Sequence, residues 1–240
     1  MAMLNVVCSW WGDLYDVSYV NKLYGQVKRN CSLDFKFYVQ TENDLNGLNP
    51  QIEAIPFERY KPDGEKYTML WDRPKCNYWS PNFLPGLKIA LDLDIIILDD
   101  LAKIIDLYQG KPLCLRSWWH NHERKYWFKQ NYGAKINGGC FIWENNKPVN
   151  RDIEKNWDII SFCFKTMDNY ITWRHLREFE LIGPEYSYSF NRGRSYPDKM
   201  EIRTKQEAVI CLFNTDRGHD HIELHEAYEK YDWIKDYWHI

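Results

Sequence analysis

Over its first sixty residues the chain switches between two hydrophobic periods. Leu4–Trp10 is a nearly continuous apolar run, the mark of a short strand buried on both faces. Residues 18–30 carry Val20, Leu23, Tyr24 and Val27 at helical spacing, which predicts a helix with one apolar face. Residues 35–40 and 52–56 read as the next two strands, separated by the turn-rich Asn43-Asp-Leu-Asn-Gly47. This alternation predicts a mostly parallel sheet whose ligand crevice lies at the carboxyl ends of its strands. Residues 58–87, rich in proline and aromatics, follow neither period and read as a long functional loop over the sheet edge.

Strand character returns at 88–98, followed by a short helix over 101–108 and strands at 113–116 and 136–143. A helix is expected over 151–170 and a strand at 208–213, ahead of a charged aromatic tail. No internal repeat interrupts the series. The expected fold class is α/β, with a mixed, mostly parallel Rossmann-like sheet flanked by helices. A chain of 240 residues can bury the core of one such domain over 1–240.

Composition adds a preference for flat ligands. Aromatics make up 17% of the chain, with 12 Trp and 17 Tyr, more than an ordinary core needs; stacking on sugars and bases, or a core biased to aromatics, accounts for the excess. The net charge of −3 excludes a protein coated in basic surface, yet residues 111–135 hold six Lys or Arg against one acid, Glu123. Seven cysteines without a Cys-x-x-Cys pair, several within apolar runs, suit buried thiols better than a disulfide framework or a zinc site. No apolar stretch is long enough to span a bilayer: residues 89–98 are broken by two aspartates. A cytoplasmic protein is the expectation.

Those two aspartates are the strongest chemical signal. In Leu91-Asp92-Leu93-Asp94-Ile95, strand alternation would turn Asp92 and Asp94 to one side and Leu93 to the core. Adjacent carboxylates repel unless a cation lies between them, and Mn²⁺ or Mg²⁺ takes oxygen ligands shared with substrate phosphates. An Asp-x-Asp alone is weak evidence; its place at the end of an apolar run, midway along an α/β chain, strengthens it.

With these residues in view, the chain resembles the GT-A glycosyltransferases, especially the glycogenin and bacterial galactosyltransferase-like families. Ile89-Ala-Leu-Asp-Leu-Asp-Ile-Ile-Ile-Leu98 resembles their metal-binding strand. Asn5-Val-Val-Cys-Ser-Trp-Trp-Gly12 with Tyr19-Val-Asn-Lys-Leu-Tyr24 is similar to the opening of a small bacterial and bacteriophage branch. Lys135-Ile-Asn-Gly-Gly-Cys-Phe-Ile-Trp143, Val209-Ile-Cys-Leu-Phe213 and Asp232-Trp-Ile-Lys-Asp-Tyr-Trp238 follow in the family's order, so the resemblance spans nearly the whole chain.

The resemblance implies a nucleotide-sugar donor with Mn²⁺ or Mg²⁺, and retention rather than inversion at the transferred sugar. It assigns the donor's base and ribose to Cys8, Ser9, Trp10 and Tyr15, the donor sugar to Asn137 beside Gly138 and Gly139, and the metal to Asp92 and Asp94. The resemblance also gives Asp92 a contact with the donor. Asp168 and Asn169 fall where the family places an acid and an amide near the reacting carbon, although Asp168 could equally cap a helix. Likewise Trp10 and Trp11 could serve only to cover the sheet, and Gly138-Gly139 only to form a bulge.

One departure stands out. Relatives place a His-Gly after the last strand, and that His completes the metal site; here Asn214 occupies the position, with Asp216, His219 and His221 as alternative ligands. Arg217 is the nearest candidate for the usual donor-phosphate lysine. The least family-like stretch includes Trp118, Trp119, Arg124, Lys125 and Lys129, whose interleaved cations and aromatics suit an acceptor: DNA with a hydroxymethylated base, or a glycan. An amphipathic lid fits the same stretch. Arg192, Arg194, Lys199, Arg203 and Lys205 form a second basic cluster. A non-catalytic carbohydrate- or nucleic-acid-binding protein on the same fold is the alternative, whereas a nucleotidyltransferase lacks its Gly-rich loop after the first strand.

Overall fold

The computed structural model describes residues 3–56, 73–80, 82–117, 134–144, 149–164, 166–195, 207–213 and 221–240. The strands are β1 (Leu4–Trp10), β2 (Phe35–Thr41), β3 (Ile52–Pro56), β4 (Lys88–Leu91), β5 (Ile95–Ile97), β6 (Leu113–Arg116), β7 (Ile136–Trp143), β8 (Glu180–Ile182), β9 (Ser187–Ser189) and β10 (Ile210–Leu212). The helices are α1 (Val17–Arg29), α2 (Ala102–Ile105), α3 (Val149–Cys163), α4 (Met167–Arg174), α5 (Phe190–Ser195), α6 (Leu224–Lys230) and α7 (Asp232–Lys235).

Seven strands form the main sheet in the order β3-β2-β1-β4-β7-β6-β8. All neighbours are parallel except at β7, which runs antiparallel to both β4 and β6. Such a sheet is covered on both faces, so β1 is buried along its whole length and reads as an apolar run rather than an alternation. Val6, Cys8 and Trp10 turn to the face packed by α1, whereas Val7 and Ala90 turn to the face that holds Tyr78, Trp79, Phe141 and Trp143.

Helix α1 starts where Asp16 accepts a hydrogen bond from the Ser18 backbone N–H (2.8 Å), and ends with Lys28 and Arg29 in the last turn, where cations suit the helix dipole. Its buried Gln26 accepts from the Ile97 backbone N–H (2.8 Å) and donates to the Ile95 carbonyl (3.3 Å). That pairing docks the second sheet, ordered β5-β10-β9, beside α1. The C-terminal residues close over the same helix: Lys22 Nζ lies 3.6 Å from the centre of a Trp238 ring system, and Arg29 donates to the carbonyls of Tyr237 and His239.

Three elements differ from the sequence expectation, each for a local reason. The apolar run 88–98 is two strands in two sheets: β4 ends at Leu91, the chain turns at Leu93 and Asp94, and the Phe213 N–H bonds the Asp94 carbonyl (3.1 Å) as the second sheet begins. The expected helix over 151–170 is α3 plus α4, because Thr166 adopts extended backbone and caps α4 with its side chain. Within 58–87, residues Arg73–Trp79 form a 3₁₀ helix over the central strands β1, β4 and β7, not over the sheet edge. Pro74 suits its first turn, where no backbone donor is needed. Residues 57–72 lie outside the described residues.

Candidate active site

Asp92 and Asp94 meet at the point where β4 leaves the main sheet. They reach one corner through the turn at 93–94 instead of through alternation along one strand. Asp92 is anchored by its backbone N–H to the Gly139 carbonyl of β7 (3.0 Å). Burial, and then the Asp92 charge beside it, push the Asp94 carboxyl up to about 7, against the pull of the Lys75 ammonium. A carboxylate pair held in this way fits a hard divalent cation, which would relieve the repulsion that raises Asp94. Among the described residues no group of three or more His, Cys, Asp or Glu stands close enough to hold an ion. Asn214, Asp216 and His219, the expected C-terminal ligands, lie outside the described residues, as does Arg217. His221 is described, and its Nε2 pairs with Glu223 at 2.8 Å.

The second half of the site is built on β7. Opposite Cys114 and Leu115 of β6, the ladder jumps from Phe141 to Asn137, so Gly138 and Gly139 sit in a bulge at the mouth of the sheet. Asn137 Oδ1 accepts from the Gly139 N–H (2.8 Å) and closes that turn, so what Asn137 offers a ligand is its amide N–H₂. A Cβ on Gly138 would lie 2.5 Å from Asp168 Oδ1, and one on Gly139 would lie 2.8 Å from Asn137 Oδ1. The missing side chains are therefore what lets Asp168 and Asn137 close on the strand. Gly138→Ala should push the Asp168 carboxylate aside and, since about 1 Å of misplacement can cost about 100-fold in rate, cut turnover by about that factor with little change in melting temperature. A steady-state assay beside a thermal melt checks it; unchanged turnover would show that the position of Asp168 is immaterial.

Asp168 occupies the first turn of α4, where an anion is favoured, but it is not the cap. That role belongs to Thr166, whose hydroxyl accepts from the Asn169 N–H (3.3 Å) and donates to Asn169 Oδ1 (2.8 Å). Asn169 is buried, and its oxygen serves the cap.

Lys75, which the sequence reading did not single out, joins the two halves. Its Nζ lies 2.6 Å from Asp92 Oδ1 and donates to the Gly138 carbonyl (3.3 Å), with only 9% of its side chain exposed. A buried ammonium gripped by a carboxylate and a carbonyl is costly to desolvate, so its retention points to a site. The one signal in sequence is a lysine enclosed by Pro74, Cys76, Tyr78 and Trp79.

Of the residues expected at the base and ribose, Tyr15 alone is only partly buried. Its hydroxyl is pushed up by burial and then by Asp94, Glu223 and Asp92, which sets it beside the acidic corner. Cys8, Ser9 and Trp10 are buried side chains. The Trp10 indole donates to the Tyr15 carbonyl (2.7 Å) and shapes the turn that presents Tyr15. Trp118, Trp119, Arg124, Lys125 and Lys129 lie outside the described residues, as do Lys199, Arg203 and Lys205 of the second basic cluster.

No protein-family model and no curated protein matches the chain. Solved structures do. The galactosyltransferase LgtC in complex with donor and acceptor sugar analogues is 12% identical, with a TM-score of 0.61 over 98% of this chain and 97% of that one. The glycosyltransferase GlyE of Streptococcus pneumoniae TIGR4 is 13% identical, with a TM-score of 0.60 over 97% of this chain and 63% of that one. Mouse xyloside xylosyltransferase 1 is 10% identical, with a TM-score of 0.56 over 91% and 100%. At such identities the likeness speaks for architecture, and with the mixed, mostly parallel sheet described above it is unambiguous: this chain has the GT-A fold of the glycosyltransferases.

Proposed function

We propose that the chain is a metal-dependent glycosyltransferase that moves a sugar from a nucleotide-sugar donor to a hydroxyl acceptor, with retention of configuration. The observation that carries this reading is the convergence of Asp92, Asp94, Lys75, Asn137 and Asp168 on a glycine bulge at the mouth of the central strands. In a sheet of this kind that mouth is the ligand crevice.

Asp92 and Asp94 would hold Mn²⁺ or Mg²⁺, which neutralises the charge developing on the departing nucleoside diphosphate. Lys75 adds a fixed cation on the Asp92 side of the bulge, and its ammonium can donate to an oxygen of the donor. Tyr15 offers its ring at the acidic corner for the base. Asn137 presents its amide N–H₂ to a sugar hydroxyl, and Gly138 and Gly139 let that sugar approach the backbone. Asp168 faces the same bulge, where a carboxylate stabilises positive charge at the reacting carbon or orients the acceptor hydroxyl. The cationic aromatic stretch 111–135 favours an anionic acceptor, a hydroxymethylated base in viral DNA or a charged glycan.

The test is a donor screen. The purified chain with Mn²⁺ should slowly hydrolyse one nucleotide sugar from a panel of UDP-, GDP-, CDP- and ADP-sugars, and the sugar should first appear with its original anomeric configuration by NMR. Hydrolysis of none, together with no binding of any nucleoside diphosphate, would defeat the reading and favour a non-catalytic module.

A further inference from the structure

Tyr78 is 2% exposed, and its hydroxyl shares a 2.6 Å hydrogen bond with Ser9 Oγ. Ser9 in turn accepts from Gln40 Nε2 at 2.9 Å, and Gln40 is itself 1% exposed. Ser9 and Gln40 are register partners on the parallel strands β1 and β2, so their side chains share one face of the sheet. By the same alternation, that face carries Val7 and Ala90, and Asp92 follows just past the end of β4.

Three polar side chains buried side by side need a reason, because apolar residues of the same size would fill this space without a desolvation cost. The Tyr78 ring already packs on Phe83 (5.5 Å between centroids) and Trp143 (5.7 Å), contacts that a phenylalanine would keep. What the hydroxyl adds is direction. In a 3₁₀ helix side chains three apart eclipse, so Lys75 and Tyr78 leave Arg73–Trp79 on one side, towards the strand ends. Lys75 reaches Asp92 and the Gly138 carbonyl, and Tyr78 reaches Ser9. The two are near enough for the Lys75 charge to act on the Tyr78 hydroxyl. Between them Cys76 contacts Met167 Sδ (3.2 Å), the residue next to Asp168. One short helix thus touches both halves of the site, and the Tyr78–Ser9 bond fixes its rotation against the sheet.

We propose that Tyr78, through Ser9 and Gln40, is a positioning residue that holds the Lys75 ammonium on Asp92 and the Gly138 carbonyl in the donor site. This rests on the sugar-transfer reading above. Lys75 bridges the acidic corner and the bulge, and charge on the departing diphosphate grows in the transition state, so loss of the ammonium's alignment should affect turnover more than donor affinity.

A double-mutant cycle with Tyr78→Phe and Lys75→Met tests the idea in the whole chain. Tyr78→Phe should lower kcat for the donor found in the screen about tenfold with KM within about twofold, and should have less than about a twofold effect when Lys75 is already methionine. Ser9→Ala should reproduce the result, and stands in if Tyr78→Phe does not fold. Melting temperatures of the same four proteins, without ligand, should also shift non-additively. Equal Tyr78→Phe penalties in both backgrounds, or additive melting shifts, overturn the positioning role. Wild-type protein that binds none of UDP, GDP, CDP and ADP with Mn²⁺ defeats the sugar-transfer reading alone, since the melting cycle still decides whether Tyr78 holds Lys75.

Discussion

Asp94→Ala should abolish the stabilisation that Mn²⁺ and a nucleoside diphosphate give the wild type, while the ligand-free mutant melts at the same temperature or slightly higher. A ligand present at about 100 times its Kd stabilises the folded state by about 2.7 kcal/mol. For a chain of this size that is a shift of about 5–10 °C in the wild type, and of none in the mutant. The ligand-free mutant keeps its fold because the link to the second sheet at this point is made by the Asp94 backbone carbonyl, which accepts from Phe213. It also loses a carboxyl that burial, and then repulsion from Asp92, push up. Turnover should fall by more than about 100-fold, the upper range for groups that merely support a metal ligand. Differential scanning fluorimetry with and without metal checks the first part; a full metal-dependent shift in the mutant would move the metal elsewhere.

The largest effect on stability is expected at a lysine outside the site. Lys88 is 1% exposed, and its Nζ donates to the carbonyls of Leu84 (2.9 Å), Gly86 (2.7 Å) and Glu144 (2.6 Å). Burial lowers its pKa to about 8, so most of its charge survives at neutral pH. The ammonium holds a turn in which Leu84 (φ 31°) and Gly86 (φ 72°) both adopt positive φ, a conformation that disfavours leucine. Lys88→Met keeps the volume and leaves three carbonyls without their donor. Leu84 is half-buried and Gly86 and Glu144 are exposed, so water can take up part of the lost bonding. With bonds to a charged group contributing about 1.5–3 kcal/mol each, a total loss of about 3 kcal/mol is expected. That is a fall in melting temperature of about 6–12 °C. Chemical denaturation of both proteins measures it, and a loss below about 1 kcal/mol would mean that water replaces the ammonium.

Much of the architecture was legible because burial on both faces of a parallel sheet leaves apolar runs, as at Leu4–Trp10, and because α1 has one apolar stripe. Asp92, Asp94 and the Gly138-Gly139 pair were legible as candidates for a related reason, since charge at the end of an apolar run, and paired glycine within one, have few structural uses. What escaped was whatever no period encodes. The turn at Leu93-Asp94 was hidden because Asp-Leu-Asp imitates strand alternation and Ile95–Ile97 extends the apolar run. Lys75 and Tyr78 were hidden because a seven-residue 3₁₀ helix is too short to show a repeat, and their partners lie in β1, just beyond β4, and in β7. Ser9 was legible as a strand-end residue, but its engagement with Gln40 and Tyr78 follows only from three-dimensional register.

The antiparallel insertion of β7 between β4 and β6 also bears on how the chain matures. Strand β4 pairs with β1 early in the sequence, yet its other edge stays open until residues 136–143 arrive to cover it. On a ribosome adding about 5–20 residues per second, that edge would wait several seconds as a bare apolar strand, a template for pairing with another chain. The bulge that carries Asn137 and the glycines belongs to the covering strand, and Asp168 emerges later still. The crevice therefore cannot assemble on a partial chain, and low-temperature expression or a chaperone that shields strand edges should raise the soluble yield more than any change at the crevice itself.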